Sequence, residues 1–195
     1  MTVTDVNVVK SAIFERPDDA NKGTLGSLLC VCGSYGMAGA AVMSAKGALR
    51  TGIGLAKCAL PRSIYPIVAQ TILESVYYPL SENADGRISK VNVPFLVSES
   101  SKSSATLVGC GLGVCDDTLK IVFSLIENST TPLVLDADAL NCVAKQPEIL
   151  LRKKAPIIIT PHPGEMSRLT GLATPLVNAE RERVALDFTQ KYGVV

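Results

Sequence analysis

Four times along the chain a short apolar run stops at a junction of glycines or polar residues, and a stretch of helical propensity follows. The runs are Ser27 to Cys32, Ala105 to Val108, Leu133 to Leu135 and Ile157 to Ile159, each too short for a helix and bounded by strand breakers. After them come the Ala-rich Gly39 to Arg50, then Asp117 to Glu127, a short piece around Leu140 to Ala144, and a helix opening at Gly164-Glu165. Leu55 to Leu60, stopped by Pro61, adds another strand; Ile64 to Ala69 reads as a short helix and Glu74 to Tyr78 as a brief extended piece. Strands that return after crossover helices run parallel, and a parallel sheet needs helices on both faces. The expectation is therefore an α/β fold built on a mostly parallel sheet.

The rest of the chain is less regular. A leader helix is expected over Val6 to Phe14, ended by Pro17-Asp18-Asp19. Ser81 to Lys90 is the most loop-like stretch, and Ser98 to Ser104 is too polar to form a buried element throughout. One last helix is expected over Leu176 to Lys191, with Val177, Val184, Ala185 and Phe188 at its apolar positions. Tyr192 to Val195 reads as a helix stop followed by the first residues of another strand, so the sheet is expected to be incomplete at its C-terminal end. Residues 1–195 form one domain on this reading, and the unpaired sheet edge makes a homo-oligomer the expectation.

Composition narrows the functions open to such a fold. Nineteen basic against eighteen acidic residues give a net charge of +1, so no global field recruits nucleic acid or an anionic membrane, and an anionic ligand must be held locally. No apolar run approaches the length of a membrane span, and neither a signal peptide nor an anchor is expected. The six cysteines lie in apolar surroundings without the spacing of a zinc site or a disulfide framework; reduced thiols in a cytoplasmic protein are expected.

Four junctions carry the chemistry, because strand ends in a parallel sheet open on one edge. Gly33-Ser34-Tyr35-Gly36-Met37-Ala38-Gly39-Ala40-Ala41 offers close backbone approach and unpaired N–H groups at a helix start, suited to an anionic or amide-bearing ligand, although a plain turn uses glycine equally well. Gly109-Cys110-Gly111-Leu112-Gly113 lacks the G-x-G-x-x-G spacing of a dinucleotide fingerprint but still marks backbone passing close to something. Leu135-Asp136-Ala137-Asp138-Ala139-Leu140-Asn141 puts two carboxylates at a strand end, where they can bind a metal, accept from ligand hydroxyls or, for Asp138, cap the next helix. In Thr160-Pro161-His162-Pro163-Gly164-Glu165 two prolines fix the only histidine at the crevice edge, and a ligand contact is the favoured role for His162.

In combination and order these motifs resemble the ADP- or ATP-dependent NAD(P)H-hydrate dehydratases, a branch of the ribokinase-like carbohydrate kinase superfamily. Asn21-Lys22-Gly23-Thr24-Leu25-Gly26 and Ala48-Leu49-Arg50-Thr51-Gly52-Ile53-Gly54-Leu55 add to the likeness, which spans about residues 20 to 195; Cys110 departs from it, standing where the family has proline. The resemblance implies a ribokinase-like fold whose C-terminal part is missing here. It also implies phosphorylation of the 6-hydroxyl of hydrated NADH or NADPH by an adenine nucleotide, ADP or ATP, with Mg2+ expected alongside, and loss of phosphate to restore the dihydronicotinamide. Ala41, Gly111 and His162 match positions that contact the hydrated cofactor, with Lys22, Asp136, Asp138, Asn141 and Glu165 as a polar shell. No metal ligand is assigned. The family's catalytic aspartate, in a Gly-x-Gly-Asp turn, and a nucleotide-contacting Lys-Gly segment are expected beyond Val195, so these 195 residues are expected to be inactive alone. A small-molecule kinase of the same superfamily, a non-catalytic binding module and a fragment unable to fold are the alternatives.

Overall fold

A computed structural model describes residues 17–21 and 23–195; the expected leader helix and Lys22 lie outside the described residues. Six strands, β1 (Ser27–Val31), β2 (Leu55–Pro61), β3 (Val76–Leu80), β4 (Ala105–Val108), β5 (Leu133–Leu135) and β6 (Ile157–Ile159), form one sheet in the order β3-β2-β1-β4-β5-β6, every pairing parallel. Five expected runs, Leu55 to Leu60 among them, are strands within a residue of their expected limits. The piece expected at Glu74 to Tyr78 pairs two residues later, where Lys57 to Pro61 offers it a ladder.

The alternation of side chains along β1 divides the core in two. Leu29 and Val31 enter the larger cluster, beneath α3 (Val93–Ser101), α4 (Asp116–Asn128) and α5 (Asp138–Val143). Cys30 and Cys32 point the other way, to α1 (Ala38–Arg50) and α2 (Tyr65–Thr71). That second layer is built from small groups, Ala41, Ala45, Ala56 and Cys58 among them, and small side chains let α1 lie close on the sheet. All six cysteines are free thiols. Burial raises the pKa of Cys58, and that of Cys142 to about 11.

The serine-rich stretch is buried only in part, as its polarity implied: Ser98, Ser101, Lys102 and Ser104 are exposed, while α3 runs through Ser101 and carries Glu99 and Ser100 inward, with Ser103 buried just beyond it. Its hydroxyls are paired at the foot of the sheet, Ser100 Oγ lying 2.8 Å from Ser129 Oγ and accepting from Thr106 Oγ1 at 2.9 Å, and that pairing offsets desolvation. The single last helix is in fact two, α7 (Thr174–Ala179) and α8 (Arg181–Tyr192), broken at Glu180 without glycine or proline. The break gives each its own packing direction, α7 against α6 (Pro163–Thr170) and α8 against the 3-10 turn Pro147–Arg152. Beyond α8, Val195 donates to Ile157 O and accepts from Ile159 N at 2.9 and 2.8 Å, extending the parallel ladder past β6. Among the described residues no helix is long and apolar enough to cross a membrane.

Candidate functional site

The strand order reverses between β1 and β4, since β1 has β2 on one side and β4 on the other. At such a switch point the loops leaving adjacent strands diverge and leave a crevice at their C-terminal ends. The two glycine loops occupy this place. Gly33 N–H donates to Cys110 O at 2.9 Å and the buried Ser34 hydroxyl to Gly111 O at 2.8 Å, so the loops after β1 and β4 are stitched together. Gly111, at φ 65°, lies under the start of α1; a Cβ there would stand 2.6 Å from Ala40 Cβ. Tyr35 and Met37 face solvent above it, 75% and 50% exposed.

The carboxylate junction is held by the same loop. Asp138 Oδ2 accepts from Gly113 N at 2.8 Å and its Oδ1 from Asn141 Nδ2 at 3.2 Å, while Asn141 Oδ1 accepts from Arg168 Nε at 2.8 Å. Asp138 is thus the first residue of α5 rather than its cap, and its carboxylate serves the neighbouring loop. Asp136 accepts from Thr160 Oγ1 at 2.7 Å and from the Cys110 thiol at 3.2 Å, tying the ends of β4, β5 and β6 together. Cys110 has a lowered pKa, chiefly through a hydrogen bond from the Cys32 thiol, whose own pKa rises through that bond and its burial. Between the two aspartates Ala137 sits at φ 50°, ψ −114°, the non-glycine residue with positive φ among those described. Gly109 explains why the turn is so placed: a Cβ on it would fall 1.9 Å from Asp136 O.

His162 caps α6. Its Nδ1 accepts from Gly164 N at 3.0 Å, so the ring proton resides on Nε2, which lies 3.2 Å from Glu165 Oε1. Glu165 Oε2 in turn accepts from His162 N at 2.9 Å, completing a reciprocal capping box. Both ring nitrogens are committed, and with the imidazole 62% exposed what remains for a ligand is its face and carbon edge. Of the other expected contacts, Ala41 is 2% exposed and packs beneath Gly33, and Gly111 is also buried, whereas Asp136, Asp138 and Asn141 line the strand ends. Arg168, Thr160 and Ser34 were not singled out from the sequence; their roles arise from contacts 24 to 77 residues away in the chain. The described residues contain no group of three or more His, Cys, Asp or Glu side chains placed to hold a metal, and both crevice aspartates are occupied by internal donors. They do not fit a resident magnesium site.

The six-stranded, all-parallel sheet with helices on both faces places the chain in the ribokinase-like class of α/β folds. A ribokinase-like protein from Enterococcus faecalis superposes with TM-score 0.76 at 19% identity, covering 94% of this chain and 61% of its own. The family follows from the sequence: residues 28–195 match the NAD(P)H-hydrate dehydratase family, and the chain belongs to it. A bifunctional NAD(P)H-hydrate repair enzyme from Thermofilum pendens is 37% identical over 176 residues, 90% of this chain and 34% of the relative. The ADP/ATP-dependent NAD(P)H-hydrate dehydratase of Bacillus subtilis, co-crystallized with ATP/Mg2+, is 25% identical with TM-score 0.76 over 97% of this chain and 63% of that one. The chain spans about a third of the length of the bifunctional relatives it matches.

Proposed function

We propose that this chain supplies the cofactor-binding side of a nucleotide-dependent NAD(P)H-hydrate dehydratase acting in nicotinamide cofactor repair. The observation that carries the reading is the switch-point crevice formed by Gly33–Gly39 and Gly109–Gly113, within a sequence that matches the dehydratase family from residue 28 onward. Hydrated NADH or NADPH would lie across these loops, bounded by His162 on one side and Tyr35 on the other. Phosphorylation of the ring 6-hydroxyl by ADP or ATP makes a good leaving group; the ring nitrogen's lone pair then expels phosphate and loss of the C5 proton restores the double bond. Asp136, Asp138 and the His162–Glu165 pair are committed to internal hydrogen bonds, so their part is to fix the loops rather than to abstract a proton. ATP with Mg2+ in the Bacillus subtilis relative supports an adenine nucleotide as donor.

The test is nucleotide-dependent recovery of dihydronicotinamide absorbance from hydrated NADH and NADPH. It is run on this chain and on a fusion carrying the part of the Bacillus subtilis relative that the chain does not cover. Recovery by the fusion with ADP or ATP is expected; a soluble, nucleotide-binding fusion with no recovery from either substrate would overturn the reading.

A further inference from the structure

Arg168 ends a relay of hydrogen bonds that starts on the glycine loop. Gly113 N donates to Asp138, Asn141 donates to the other oxygen of Asp138, and Asn141 Oδ1 holds Arg168 Nε, at 2.8, 3.2 and 2.8 Å. The guanidinium is thereby fixed through Nε alone. Its Nη1 lies 3.9 Å from where a Gly164 Cβ would stand, beside the exposed face of His162. Among the described residues no carboxylate lies within ion-pair distance of it, whereas Arg87, the other arginine at the loop, is paired with Asp85 at 3.2 Å. The strand ends around the crevice otherwise carry the carboxylates of Asp136, Asp138 and Glu165, which repel an anionic ligand.

An arginine held by a neutral amide at Nε, with two terminal nitrogens open to solvent, is shaped for a bidentate contact with phosphate oxygens. Holding it in place before binding removes side-chain entropy that a free arginine would lose at that moment. We propose that Arg168 binds a phosphate of the dinucleotide's diphosphate bridge, with Asn141 and Asp138 as positioning residues. The inference rests on the reading of this crevice as the site of a hydrated dinucleotide. It makes the diphosphate, as well as the ring, a determinant of recognition, so the site discriminates whole cofactor from its nucleoside fragment.

The experiment measures dissociation constants of this chain and its Arg168→Gln, Arg168→Lys and Asn141→Leu variants. The probes are hydrated NADH, the hydrated dihydronicotinamide riboside, which has the same ring without phosphate, and ADP. Arg168→Gln is expected to weaken hydrated NADH by about 10- to 100-fold, the loss of one charge-assisted bidentate contact, and to leave the riboside within about twofold. Arg168→Lys and Asn141→Leu should fall between, since one keeps the charge without the fork and the other keeps the fork without its support. Equal loss for dinucleotide and riboside, or loss for neither, overturns the assignment. Loss confined to ADP overturns it as well, placing the guanidinium on the nucleotide. If the unsubstituted chain binds ADP but neither hydrated ligand, the functional reading itself falls. Arg168 is exposed and its replacements leave the core untouched, so each variant is expected to fold.

Discussion

Replacing His162 by alanine tests whether the imidazole is an architectural group at the site's edge. The substitution removes the side-chain acceptor of Gly164 N and the donor to Glu165 Oε1, at 3.0 and 3.2 Å. Loss of an N-cap costs about 1 kcal/mol. Glu165 has a side chain only 7% exposed and keeps just the bond from His162 N, so stripping its second partner adds about 1.5–3 kcal/mol, the scale of a hydrogen bond to a charged group. The sum is about 2.5–4 kcal/mol, which lowers the urea midpoint by about 1–2 M for an m-value near 2 kcal/mol/M. Two controls isolate the mechanism. His162→Asn retains an oxygen able to accept from Gly164 N and should recover the capping part of the loss. In a double-mutant cycle with Glu165→Gln, the pair should couple by about 1 kcal/mol or more, because removing either partner already forfeits the shared interaction. A His162→Ala protein within about 0.5 kcal/mol of the parent, or additive single effects, would refute the capping-box account and return the imidazole to the list of free acid–base groups.

The foot of the sheet and the tightest point of the site give two further expectations. Glu99 has its pKa lowered, first by the hydrogen bond from Lys102 and then by Tyr78 and Lys57, so it contributes stability that is present above the ordinary glutamate pKa and is lost as pH falls through its own lower value. Unfolding titrations should therefore show Glu99→Gln to be less steeply acid-sensitive below about pH 5, from a parent stability lowered by about 3–5 kcal/mol because Lys57 is left buried without its counter-charge; an unchanged pH slope would exclude Glu99 as the titrating group. Gly109→Ala should lose more than about 4 kcal/mol or fail to accumulate as folded protein, since a Cβ would stand 1.9 Å from Asp136 O at φ 125°. Gly47→Ala, in open space on α1, is the matched control and should gain up to about 1 kcal/mol; a Gly109→Ala protein as stable as the Gly47→Ala one would show that the loop can be rebuilt.

The strands were legible because buried parallel strands read as unbroken apolar runs, and each of Leu28 to Val31, Ala105 to Val108, Leu133 to Leu135 and Ile157 to Ile159 is followed within two residues by glycine, aspartate or proline. What polarity did not reveal was which of the hydroxyl-bearing residues here are interior. Ser100, Ser103 and Thr106 are interior because Ser129, Thr131 and the end of α3 supply partners, and that pairing joins residues from three separate segments. The break at Glu180 was equally hidden: Val177 and Val184 are seven apart and suit one helix face, while the actual choice is made by what α7 and α8 each pack against. At the site, the types of residue were legible and their assignments were not. His162 and Glu165 have the spacing of a capping box with histidine in the place of serine, a local signal that was present in the sequence. Arg168 had no such signal, since only the folded chain brings it to Asn141.

The engaged state of the carboxylates bears on how a loop-built site can be precise. A crevice lined by glycine has no side chains of its own to hold it, and free loops would sample many shapes at a cost in entropy on binding. Here two rows of contacts run across the strand ends. One passes from the Cys110 thiol through Asp136 to Thr160, joining the ends of β4, β5 and β6; the other runs from Gly113 through Asp138 and Asn141 to Arg168. Each aspartate must accept from two directions at once, and Ala137 between them is forced to positive φ, a strain of order 1–3 kcal/mol that the surrounding bonds sustain. The thiol at position 110 fits this scheme where proline would not, because a proline ring has no proton to donate to Asp136. The acids at this edge are therefore explained by the glycines beside them: they supply from a distance the rigidity that glycine removes locally, and leave the backbone N–H groups and the Arg168 fork as the surface that the proposed ligand would meet.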